Sequence, residues 1–287
     1  MRNHISTSIR LLILLTATHL FAQHLSIDFA EHLFESGKYE SAITEYYRFI
    51  FFNPDSARVS YAYYKIGLAY RNESQWDKSV SALEMSIRTA PNDSIRNERE
   101  ISLALVTTAR GEFHLAEFQL VRIELYTPFP ATRRKAAFFR GINCLYQFKW
   151  EEARRAFQVC FQESLGVSEF LHLADSIDSL TLLAQHSADK NPRLAKWLST
   201  FLPGSGQFYA EDWPNGLNAL AINSANGYLL INDIVQHHWR DALMTYLLLF
   251  ERYYLGNRHH AARSAENYNR RVNEEFAERI LELFEEE

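Results

Sequence analysis

Cysteine is scarce. Cys144 and Cys160 are the two in 287 residues, too few for the disulfide framework that holds small secreted domains together. Positive charge is also short: 30 lysines and arginines stand against 35 acidic residues, a formal charge of −5. The densest basic run is Arg133-Arg134-Lys135, and without a basic face a nucleic-acid partner is not expected. No Ser-His-Asp set, paired-carboxylate motif or His-x-x-x-His spacing stands out. The adjacent pairs His237-His238 and His259-His260 point about 100° apart on a helix and make poor joint metal ligands. The glycine-rich stretch Pro203-Gly204-Ser205-Gly206-Gln207 lacks the lysine of a phosphate loop and the strand that precedes a dinucleotide fingerprint. The chain therefore reads as non-enzymatic, with no catalytic residue, cofactor or metal.

What is present is a repeat. Gly37-x-Tyr39-x-x-Ala42-Ile43-x-x-Tyr46-x-x-Phe49-Ile50-x-x-x-Pro54 returns as Trp76-x-x-Ser79-Val80-x-x-Leu83-x-x-Ser86-Ile87-x-x-x-Pro91. It returns again from Gly111-x-Phe113-x-x-Ala116 to Pro128, and more loosely as Trp150-x-x-Ala153-x-x-x-Phe157-x-x-Cys160. Pro54, Pro91 and Pro128 stand 37 residues apart, a period that predicts stacked helical hairpins. The upstream helix of each copy carries a small residue: Ala30, Gly67, Ala104 or Gly141. The downstream helix carries Ala42, Ser79, Ala116 or Ala153 one turn before a bulky residue. Small against large lets two helices cross closely, and proline then stops the second helix.

At these positions the array resembles the tetratricopeptide repeat family. Tyr63, Ile66, Gly67, Tyr70, Trp76, Leu83 and Pro91 carry the match best, and the resemblance covers about residues 23–166. It implies an all-α helical-hairpin solenoid whose first helices line a binding face. Tyr61, Lys65, Arg71 and Arg99 are the candidate partner-binding residues on that face. Cys144 and Cys160 fall on the two helices of the fourth copy, either bridged or as buried thiols.

Met1 to Ala22 reads as a secretory signal, with Arg2 and Arg10 before and around the apolar run Leu11-Leu12-Ile13-Leu14-Leu15. That run is too short to span a bilayer. Its removal deletes two arginines and no acid, taking the formal charge from −5 to −7. The expectation is an exported, periplasmic protein.

Residues 167–190 read as a capping helix and linker, ending at Asn191-Pro192. The stretch 191–257 then resembles a hairpin module with a Pro-Gly-x-Gly-Gln-x-Tyr opening, found behind tetratricopeptide repeats in bacterial envelope proteins. Pro203, Gly204, Gly206, Gln207, Tyr209, Asp212, Gly216, Arg252, Gly256 and Asn257 are its motif positions here; Ala210-Glu211 stands where a glycine commonly follows the tyrosine. The resemblance implies two apolar helices, Gly216–Val235 and Ala242–Gly256, usually taken as membrane-embedded. Asn218, Asn223, Asn226 and Asn232 in the first are costly in hydrocarbon, so a compact soluble helical domain is the other reading. Asp212, Glu251 and Arg252 suggest a buried polar network. Residues 258–287 read as an amphipathic helix with Ala261, Ala265, Tyr268, Val272, Phe276, Ile280 and Leu283 on one stripe.

Two functions follow as expectations. The first is a protein-interaction scaffold of the bacterial envelope, its repeats binding another envelope protein or peptide and its hairpin contacting membrane. The second is an accessory factor whose C-terminal module takes part directly in membrane-protein insertion or in handling lipid or substrate.

Overall fold

The computed structural model describes residues 27–162, 168–187 and 189–284, all helix and turn with no strand among them. The expected export segment, 1–22, lies outside the described residues. Eight helices form four successive hairpins: α1 (Ile27–Glu35) with α2 (Tyr39–Phe52), α3 (Val59–Asn72) with α4 (Trp76–Arg88), α5 (Asp93–Ala109) with α6 (Phe113–Tyr126), and α7 (Pro130–Leu145) with α8 (Trp150–Gln162). Then follow α9 (Ser168–Ser187), α10 (Pro192–Phe201), the short α11 (Ser205–Tyr209), α12 (Trp213–Val235), α13 (Trp239–Thr245), a π turn at Tyr246–Phe250 and α14 (Glu251–Glu282). The chain divides into two compact units. One runs through residue 147 and takes in α8 from residue 155; the other comprises 148–154 and the chain from residue 171 onward.

In the first unit the 37-residue period governs packing residue by residue. Ala30, Gly67, Ala104 and Gly141 are each one period apart, and Tyr46, Leu83, Leu120 and Phe157 follow them sixteen residues later in every copy. All of the large members are fully buried. A Cβ on Gly67 would lie 2.7 Å from Leu83 Cγ, and one on Gly141 would lie 2.6 Å from Phe157 Cε1. The small residue thus sets how near the paired helices approach. Ser79, the one hydroxyl in the second small slot, donates to the Gly67 carbonyl at 2.7 Å and so does not leave a polar atom stranded. Cys144 is buried and Cys160 partly buried, both as thiols rather than a bridge.

The turns inside the hairpins repeat as well. Gly37, Ser74, Gly111 and Phe148, one period apart, have φ of 72°, 57°, 79° and 55°. At the first three, the next amide reaches back five residues: Lys38 to Leu33, Gln75 to Tyr70 and Glu112 to Thr107, at 2.9, 2.8 and 3.1 Å. This is the helix stop that places a left-handed residue after the last turn. Glycine reaches that conformation at little cost, whereas a residue with a Cβ loses roughly 1 kcal/mol. Ser74→Gly is accordingly expected to stabilise the first unit by about 0.5–1 kcal/mol, read as a raised urea midpoint with unchanged slope.

The second unit uses the same stop twice. Glu211 and His237 have φ of 62° and 60°, and Asp212 N and His238 N donate to Gln207 O and Asp233 O at 2.9 and 2.8 Å. Glu211, the departure from the module's expected glycine, is thus a residue with a Cβ in a glycine conformation.

The C-terminal region differs from the sequence expectation in where its helices end. The second apolar segment does not end at Gly256; helix continues from Trp239 to Glu282 through the π turn. Nothing at Gly256 obliges a stop, because its φ is not positive and no atom lies within 4 Å of its would-be Cβ. Tyr246, Phe250 and Tyr254 stack along the wide turn with ring centroids 6.1 and 5.6 Å apart. Among the described residues no helix is long and apolar enough to cross a membrane, so the membrane-embedded reading that the resemblance implies for 216–256 is not supported. The four asparagines and Asp233 lower the mean hydropathy of that stretch.

Candidate functional site

The first helices of the first unit share an aromatic and cationic band. Lys65 Nζ sits 4.4 Å from the Phe34 ring centroid and 5.6 Å from that of Tyr61, and the Arg99 guanidinium lies 3.6 Å over Tyr64. These cation–π contacts join α1, α3 and α5 into one strip. Burial raises the Tyr61 pKa, with Glu31 adding to the shift. Burial lowers that of Arg99, with Tyr64 opposing it. Arg71 falls two turns beyond Tyr64 on the same side of α3, without an ion-pair partner among the described residues. Tyr61, Lys65 and Arg99 therefore share one strip, with Lys65 and Arg99 already packed on rings of their own chain, while Arg71 is joined to it by helical register alone.

In the second unit the Pro-Gly-x-Gly-Gln-x-Tyr opening holds α10, α11 and α14 together. Gly204, with φ of 95°, ends the turn after Pro203; a Cβ there would stand 2.4 Å from the Gly216 carbonyl oxygen. A Cβ on Gly206 would stand 2.0 Å from the Ala195 carbonyl oxygen, and one on Gly216 would stand 2.4 Å from Phe208 Cε1. Gln207 is buried and satisfied on both sides of its amide. Its Nε2 donates to Asn257 Oδ1 at 2.7 Å, and its Oε1 accepts from Ser199 Oγ at 2.9 Å. Ser199 Oγ also accepts from Gly206 N at 2.9 Å. Tyr209 Oη accepts from Asn191 N at 3.0 Å, while Asn269 exchanges bonds with the Lys190 backbone at 3.0 and 2.8 Å. The Asn191 side chain caps α10, accepting from Arg193 N and Leu194 N.

Between α12 and α14 opens a cavity of about 600 Å³, walled by amides from α12 and by basic side chains from α14. Asn215, Asn218 and Asn223 face Arg252, His260 and Arg263 across it. Asp212 closes one end, accepting from Ser264 Oγ at 2.7 Å and from Asn215 Nδ2 at 2.9 and 3.0 Å.

A family model described as tetratricopeptide repeat matches residues 61–93, which covers nearly all of α3, all of α4 and the start of α5. The first unit is a tetratricopeptide-like helical repeat array. No curated protein matches the chain. Arrays of this type bind protein partners on extended concave surfaces, which makes this unit a protein-interaction scaffold in general terms.

In the second unit, the motif residues prove to be architectural. Pro203, Gly204, Gly206, Gln207, Tyr209, Gly216 and Asn257 position helices, whereas Arg252 is exposed and Gly256 is open. The expected buried network of Asp212, Glu251 and Arg252 is absent. Glu251 and Arg252 are exposed, Arg252 along the open groove between α12 and α14, and Asp212 bonds to Ser264 and Asn215 instead. Ser199, Ser264 and Lys190 complete these contacts and carried no signal of their own in the sequence. Burial raises the Asp212 pKa, but the Ser264 and Asn215 hydrogen bonds outweigh it and hold the carboxyl below its usual value. A depressed folded pKa contributes stability above the unfolded value near 3.8, lost as pH falls through the lower folded one. Asp212→Asn should therefore flatten the acid limb of the stability curve below about pH 4, as measured by urea midpoints across pH.

Proposed function

We propose that this protein is a non-enzymatic adaptor of the bacterial envelope. Its array holds a segment of another protein against the Tyr61–Arg71 strip, and its C-terminal hairpin docks on a membrane surface. The observation that carries the membrane half is an inverted hairpin. The buried positions of α12 are Gly216, Asn223 and Asn226, while Leu217, Tyr228, Ile231 and Val235 are 59–70% exposed. Leu243, Met244, Leu247 and Leu248 continue the apolar surface on the second arm. Trp213 and Trp239 stand exposed at the start of α12 and of α13, the amphipathic rings that favour a bilayer interface. A patch this extensive marks an interaction site, and its apolar exterior over a polar interior suits lipid contact at the interface rather than a crossing. The apolar run before Gln23 supports placement outside the cytoplasm.

The test uses the full chain in cells. Membranes should retain it against salt and release it with detergent, and a photo-crosslinking residue at Tyr61 should yield adducts with a discrete partner. Ser81, exposed on α4, serves as the control position. Full recovery in the soluble fraction would overturn the membrane half, and equal adducts from both positions would overturn the binding strip.

A further inference from the structure

The groove between α12 and α14 contains an unmet demand. Asn223 is 5% exposed, and its Oδ1 has no hydrogen-bond partner. Its Nδ2 donates to the Ala219 carbonyl at 2.8 Å, which fixes the amide's orientation and leaves the acceptor for an incoming O–H or N–H. Such a buried acceptor costs about 1–3 kcal/mol while unmet.

The charge of the groove is equally unbalanced. Arg252 and Arg263 both line it, three turns apart on α14, with His260 between them. Neither guanidinium has an acidic partner among the described residues. Asp212, the carboxylate of the groove, is occupied by Ser264 and Asn215. The walls therefore call for an anion, and the amides of Asn215, Asn218 and Asn223 suit hydroxyls, which both donate and accept. Ile222 and Tyr253 also line the groove, and both are more than two-fifths exposed, so an apolar portion of the same ligand finds cover there.

We propose that this groove binds the headgroup of an anionic phospholipid that carries a free hydroxyl. The phosphate meets the arginines and the hydroxyl donates to Asn223 Oδ1. The inference rests on the membrane-docking reading and adds a chemical preference to it.

Flotation of the full chain with vesicles tests it. Wild type should bind phosphatidylcholine vesicles containing phosphatidylglycerol about tenfold or more tightly than phosphatidylcholine alone, as two cations near an anionic surface allow. Arg252→Gln/Arg263→Gln should abolish that preference; both residues are exposed, so the fold is retained. The pair Arg240→Gln/Arg270→Gln, equally exposed and outside the groove, should keep it. Asn223→Leu should equalise phosphatidylglycerol with phosphatidic acid, which offers phosphate without the glycerol hydroxyls. Equal loss from the two arginine pairs, or wild type floating alike with neutral and anionic vesicles, would overturn the site while leaving membrane docking intact. Absence of flotation with every vesicle would overturn the docking reading itself. Glycerol 3-phosphate binding as tightly in titration calorimetry as the vesicles do would place a soluble ester in the groove and overturn the lipid assignment.

Discussion

Gly206→Ala is expected to destabilise the second unit by about 3 kcal/mol or more, through a single methyl group. That methyl would stand 2.0 Å from the Ala195 carbonyl oxygen and 2.8 Å from Ala261 Cβ. The first obstacle is backbone, so no side-chain rotation relieves it. Either α10 or α14 must withdraw, and both carry the polar node: Ser199 on α10 accepts from Gly206 N, and Asn257 on α14 accepts from Gln207. Withdrawal therefore strands buried polar atoms in addition to opening a gap. Hydrogen exchange should show the loss on α10, α11 and α14, with amides of α3 and α4 unaffected. The contrast is Gly256→Ala on the same long helix, where nothing lies within 4 Å. There alanine gains helix propensity and should stabilise by up to about 1 kcal/mol. Equal effects at the two glycines would refute the close-packing account.

Glycine alone does not distinguish these two sites. Gly206 and Gly256 both belong to the same motif resemblance, yet one is a point of backbone contact and the other an open helical position. The difference is tertiary: it depends on Ala195 of the preceding helix α10 and on Ala261, 55 residues further along the chain on α14. The same limit explains Arg252. A charge inside an apolar run looks buried when the run is assumed to be buried. Here the apolar side chains of α12 and α13 point outward while Asn223 and Asn226 of α12 are buried, so the usual inference from hydropathy to burial inverts. Asn223 and Asn226 were legible as costly residues needing partners. That they occupy the interior of an inverted hairpin was not.

The array was more legible because its constraints recur. A period of 37 residues exposes the small slot, the large residue opposite and the terminating proline in several copies, and packing follows almost directly from register. Even so, the stop after each first helix was visible where glycine marks it, at Gly37 and Gly111, and hidden where Ser74 and Phe148 adopt the same positive φ. There the repeat's geometry overrides local preference, since four hairpins of one shape require one turn. The candidate face was read from that register too. What register did not reveal is that Lys65 and Arg99 rest on Phe34, Tyr61 and Tyr64, so both of these cations are already matched to aromatic rings of this chain.

The pairing of small with large can be tested as a coupling. Leu83 is fully buried, so Leu83→Ala is expected to cost about 2–5 kcal/mol from lost transfer energy and the cavity left behind. Gly67→Ala brings a methyl to 2.7 and 2.8 Å from Leu83 Cγ and Cδ2. It should cost about 1–3 kcal/mol, because the leucine is itself hemmed in. In Gly67→Ala/Leu83→Ala the new methyl enters the space the leucine vacated, and alanine also favours helix over glycine by about 1 kcal/mol. The double variant should therefore be no less stable than Leu83→Ala, with a coupling of about 1–3 kcal/mol from urea midpoints. Additive losses would mean that α3 and α4 do not set their separation at this contact. The same cycle at Gly141 and Phe157 should couple with the same sign, because Phe157 Cε1 stands 2.6 Å from the would-be methyl there. Agreement between the two cycles is what a shared register demands: two copies of the repeat, 74 residues apart, with the approach of each helix pair fixed by one glycine.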